Sequence, residues 1–142
     1  MLIRATLVAA LTIAVCGAAT PSDQATIVNS GSTNSAGYTI VVSPDGKASV
    51  SVAPRTGVAA APKSFTLATA TATRFFNDLA AARKANIATV PCMKSASFGS
   101  TTKVTWQGWT SPDLSCPAKD ATGDALTSDV DAIRQASGIG NP

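Results

Sequence analysis

The residue types able to do chemistry are few, and their absences narrow the options first. The sequence has no histidine, which removes the Ser-His-Asp and Cys-His catalytic sets and the commonest metal ligand. It has no glutamate either, so acid–base work would fall to aspartates, and Asp113, Asp120, Asp124, Asp129 and Asp131 crowd into the C-terminal stretch. Helix capping and solvation account for aspartates in such a place. Lys94-Ser95 sets a base beside a nucleophile, the pairing of a histidine-free serine hydrolase. Adjacent residues on an extended segment point to opposite faces, however, so that lysine would need a serine from elsewhere in the chain. Asp120, Thr122, Asp124 and Asp131 fall on positions one, three, five and twelve of a calcium loop, but Ala125 stands where that loop needs glycine and no glutamate closes it. A capped helix start is the plainer reading. No catalytic residue, metal site or cofactor is assigned.

Two features remain. Trp106 and Trp109 flank Gln107-Gly108, a two-residue hairpin loop that would set the indoles side by side, with Lys103 close in sequence. Such a face can stack on a sugar or receive an apolar side chain of a partner protein, although an indole filling the core is the simpler use of a tryptophan. Cys92 and Cys116 are the second feature. In an oxidising compartment an even pair is expected to bond, closing a ring of about 25 residues for roughly 3–4 kcal/mol of loop-closure entropy.

The elements that must position these residues follow from turn chemistry and periodicity. In Ser43-Pro44-Asp45-Gly46, proline presets φ, aspartate suits the second turn position, and glycine accepts the positive φ of a bulge, so a hairpin runs from Tyr38 to Val52. Pairing Ser43 with Lys47 then aligns Val42 with Ala48, Ile40 with Val50 and Tyr38 with Val52 on an apolar face, leaving Val41 with Ser49 and Thr39 with Ser51 on the other. Residues 25–28 form a further short strand. After a loose segment holding Pro54, Gly57 and Pro62, residues 69–84 form a helix with Phe75, Phe76, Leu79 and Ala82 on one stripe, threonines as caps, and Arg74 paired four residues on with Asp78. A second hairpin joins 101–106 to 109–111. A last helix over 123–137 lines up Leu126, Val130 and Ile133, with an Asp131–Arg134 pair. The expected fold is α+β: an antiparallel sheet of four to five strands with two helices on one face, in the order β-ββ-α-ββ-α.

Length and composition set the rest. The 142 residues suffice for one domain, and 45% hydrophobic content with only 5% aromatic residues means a lean core of alanine and valine. Residues 1–19 read as a signal peptide, with Arg4, an apolar run from Ala5 to Val15 and the small residues Gly17 to Ala19, leaving 20–142 as a single exported domain. Cys16 is the alternative, a lipid-modified cysteine, although Val15 before it is branched where such signals favour a small residue. The formal charge of +3 is too small to argue for nucleic acid, and a membrane enters only through a lipidated Cys16. Residues 20–112 hold eight Lys/Arg against three Asp while the tail from Asp113 holds two against five, so the acidic tail is expected to dock on the basic body.

With its tyrosine-led strand, Ser43-Pro44-Asp45-Gly46, Phe75-Phe76-Asn77-Asp78-Leu79, Cys92-Met93-Lys94-Ser95-Ala96-Ser97-Phe98-Gly99 and Ser111-Pro112-Asp113-Leu114-Ser115-Cys116, the chain resembles small exported bacterial proteins catalogued only as domains of unknown function. The resemblance covers most of the mature chain. It implies export, periplasmic or extracellular, and this order of strands and helices, and it carries no activity. The expected function is a non-catalytic binding or interaction domain for a protein or carbohydrate in the envelope or medium. The segment Ser111 to Cys116, tethered by the disulfide, would be the presented loop if the target is an enzyme. The alternatives are a small serine hydrolase without histidine and a structural envelope lipoprotein.

Overall fold

The computed structural model describes residues 23–140. The expected leader at 1–19 and Cys16 lie outside the described residues. The strands are β1 (Ala25–Asn29), β2 (Tyr38–Val42), β3 (Lys47–Val52), β4 (Lys63–Thr66), β5 (Thr102–Trp106) and β6 (Trp109–Thr110), with helices α1 (Thr69–Ala85) and α2 (Ala121–Ala136). All pair antiparallel in one sheet of order β4-β3-β2-β1-β5-β6. The α+β class holds, but the sheet has six strands rather than four to five. The additional strand is β4, whose sequence Lys-Ser-Phe-Thr carries one apolar residue and follows the loose segment holding Pro54, Gly57 and Pro62. Nothing local marks it as a strand, and it exists because β3 offers it an edge, with Ala48 opposite Phe65.

The first hairpin has the expected register, Tyr38 opposite Val52, Ile40 opposite Val50 and Val42 opposite Ala48. Gly46 takes φ +85°, and a Cβ there would stand 3.0 Å from the Leu67 carbonyl oxygen, so both conformation and space call for glycine. The inner face of the sheet buries Ala25, Ile27, Tyr38, Ile40, Val42, Ala48, Val50 and Val104 in one cluster with Ala72, Phe75, Leu79 and Ala82 of α1 and Leu126, Val130 and Ile133 of α2. These are the apolar positions of a helical stripe meeting the alternate residues of strands. Phe76 lies partly buried beside that cluster.

Two helix details depart from the sequence reading. The N-cap of α1 is Ala68, without a side-chain capping bond, and the threonines fall inside the first turns instead. Arg74 does not serve Asp78 on its own helix. Its Nε lies 2.5 Å from Oδ1 of Asp129 on α2, because that carboxylate is 2% exposed and burial makes the pairing count. The start of α2 is capped by Asp120, whose Oδ1 accepts from the Gly123 amide at 2.9 Å. The Asp131–Arg134 pair forms at 3.6 Å. Ion pairs Arg74–Asp129 and Lys94–Asp113 join basic body to acidic tail.

Candidate binding loop

The segment after α1 is built to hold one short loop still. Asn86 ends the helix in the left-handed conformation, with φ 49° and ψ 55°, and its amide faces the last carbonyls. Ile87 then buries, and Thr89 bridges to Ala118 while the Val90 amide donates to the Pro117 carbonyl at 2.8 Å. Beyond this anchor the Cys92–Cys116 disulfide closes, with Cα atoms 5.5 Å apart. Residues 93–95 follow with no helix, strand or turn, and residues 96–98 form a turn closed by the Gly99 amide on the Ser95 carbonyl at 2.7 Å. A Cβ at position 99 would lie 2.5 Å from the Lys94 Cβ, so only glycine permits the chain to fold back this closely.

The loop is braced from two sides. On one, Ser97 O accepts from the Asn34 amide at 3.1 Å and from Ser32 Oγ at 2.9 Å, and Ala96 O accepts from Thr33 Oγ1 at 3.2 Å. The braces are themselves held, since Arg55 donates to the carbonyls of Asn34 and Thr33. On the other, the Lys94 ammonium donates to Asp113 Oδ2, the Ser100 carbonyl and Ser115 Oγ. Asp113 Oδ1 in turn accepts from the amides of Thr102 at 3.0 Å and Ser115 at 3.1 Å. Burial by itself would raise the Asp113 pKa. The hydrogen bonds from Lys94, Ser115 and Thr102 outweigh it and hold the carboxyl at about 2.

What this framework displays is apolar. Met93 is 101% exposed and Phe98 66%, with Val90 also among the exposed large side chains. A methionine and a phenylalanine on one short loop, held out by a disulfide and a dozen polar contacts, are not a consequence of core packing.

The residues singled out in the sequence are distributed differently. Trp106 and Trp109 are cross-strand partners as expected, and the tip Gln107-Gly108 has positive φ at both positions, 47° and 76°. Both indoles are half-buried and pack against the core cluster. Trp106 meets Phe76 edge-on with centroids 6.0 Å apart, lies under the Arg83 guanidinium at 5.9 Å, and donates through Nε1 to the Asp23 carbonyl at 3.2 Å. Lys103 is not with them. It pairs with Val28 on the opposite, outer face of the sheet, beside Ser30, Thr101 and Thr105. Ser111 and Leu114 are buried, so residues 111–115 act as the foundation and residues 92–99 as the display. The signal available in the sequence was the unpunctuated Met93 and Phe98 between cysteine and glycine. Apolar type alone assigns such residues to a core.

The serine that Lys94 meets is Ser115, not Ser95. Lys94 donates to a carboxylate, a carbonyl and that hydroxyl, which makes an ionic clamp. Among the described residues no group of three or more potential metal ligands comes together, and no helix is long and apolar enough to cross a membrane. Comparison with protein-family models, with curated proteins and with solved structures found no match.

Proposed function

We propose that this chain is an exported, non-catalytic binding protein that engages a protein partner through residues 90–99. The observation that carries the reading is full exposure of Met93 on a loop immobilised from both flanks. A loop already ordered loses little conformational entropy on association, so its apolar side chains contribute nearly their full transfer free energy. Apolar anchors favour a protein surface over a carbohydrate, whose recognition would draw on exposed indole faces. The disulfide fits an oxidising compartment, in keeping with the leader at 1–19. Mass spectrometry of the mature N-terminus distinguishes simple cleavage from an acylated Cys16.

The test is capture from culture medium or periplasm on the immobilised mature chain, beside a Met93→Ser/Phe98→Ser variant. A partner retained by the native chain and lost by the variant, with both melting alike, is the expected result. Equal capture by the two proteins would place the binding surface elsewhere.

A further inference from the structure

Both sides of a single peptide bond are fastened to one short segment. On the acyl side of Met93–Lys94, Cys92 is covalently joined to Cys116. On the amine side, Lys94 is clamped by Asp113 and Ser115. The side chain between these two fastenings, Met93, is the most exposed of the large apolar side chains among the described residues. We propose that residues 92–95 form a substrate-like inhibitory loop for an extracellular serine endopeptidase whose primary pocket takes a long, unbranched apolar side chain, with Met93 as the inserted residue. The proposal rests on the binding reading above and names its partner class.

The chemistry follows from the fastenings. The enzyme's serine oxygen attacks the Met93 carbonyl carbon, the Met93–Lys94 C–N bond breaks, and the amine of Lys94 leaves with a proton from the enzyme's general acid. In an ordinary substrate that amine diffuses away and water hydrolyses the ester. Here the acyl half is tied through Cys92 and the amine half through the Lys94 side chain, both to residues 113–116. The amine stays beside the ester at an effective concentration that for well-oriented groups reaches roughly 10⁵ M or more. It attacks the ester carbonyl, the peptide bond re-forms, and the proton and the serine hydroxyl are restored. Lys94 is thus a positioning residue. A serine enzyme is the fitting class because an oxidising compartment disfavours a free catalytic thiol.

The test sets the mature chain against purified serine endopeptidases with a large apolar, a small apolar and an acidic primary pocket. Native chain is expected to inhibit the first stoichiometrically, with intact and Met93–Lys94-cleaved forms interconverting in the complex. Met93→Lys should move inhibition to the acidic-pocket enzyme by about a hundredfold or more in inhibition constant. Lys94→Met should turn the inhibitor into a substrate, with cleavage at 93–94 faster by about tenfold or more, while a substitution at an exposed apolar residue outside the loop, Val58→Ala, inhibits as the native chain does. No inhibition of any of the three enzymes, or rapid turnover of the native chain at 93–94, overturns the proposal. If the loop still captures a partner in the medium, the binding reading stands and inhibition alone falls.

Discussion

Replacing both half-cystines with alanine, Cys92→Ala/Cys116→Ala, probes the constraint on which the loop depends. The two are 24 residues apart in sequence, and the loop-closure expression for a ring of about 25 residues gives roughly 3.5 kcal/mol at 25 °C. With about 2.1 cal/mol/K of unfolding entropy per residue, a domain of about 120 residues shifts its melting point by roughly 4 °C per kcal/mol, so a loss near 14 °C is expected. The fold itself should persist, because the backbone bonds Val90 N to Pro117 O at 2.8 Å and Lys119 N to Ala88 O at 3.0 Å lie beside the bridge and do not need it. Alanine suits position 116, where the side chain is buried and a serine hydroxyl would need a partner. The assay is thermal unfolding followed by circular dichroism, with an unchanged far-ultraviolet spectrum at 20 °C. A melting point within about 4 °C of the native protein would refute the argument, since the ring would then restrict almost nothing in the unfolded chain.

Other outcomes follow from buried charge and packing. Asp129 is buried with Oδ2 lacking a partner, and burial, opposed by Arg74 and reinforced by Asp78, raises its pKa. Stability from the protonated form is complete below the ordinary carboxylate range and drains away as pH rises through the raised value, so Asp129→Asn should melt higher than native at pH 7 and alike at pH 4. A lower melting point at pH 7 would contradict this. Asp113 has the opposite sign, its pKa lowered to about 2, so its contribution is present above about pH 4 and lost as pH falls to 2. Amide exchange at Thr102 and Ser115 should speed up across that window, and unchanged protection at pH 2 would count against the clamp. Phe75 is fully buried at the centre of the core, and Phe75→Ala should cost about 3–5 kcal/mol in urea unfolding. A loss under about 1.5 kcal/mol would mean that the site collapses around the cavity.

Much of the scaffold was legible because its signals are local. Ser43-Pro44-Asp45-Gly46 dictates its own turn, the turn sets the register, and the register sends Tyr38, Ile40 and Val42 to one face. The stripe through Phe75, Leu79 and Ala82 and that through Leu126, Val130 and Ile133 come from helical spacing in the same way. By contrast β4 has no signature of its own, and Arg74 chose Asp129 over Asp78 because the interhelical carboxylate is the buried one.

By itself, the amino-acid sequence determined the α+β class, the first hairpin's pairing, the two helices and the Cys92–Cys116 partnership, each of which rests on turn residues, periodicity or parity within a short window. Only the tertiary structure decided that Lys94 meets Ser115 and Asp113 and that Met93 stands in solvent. Those outcomes depend on which distant segments meet. An apolar residue's type says that burial would be favourable, and the disulfide and the hydrogen bonds around it determine whether burial is reached.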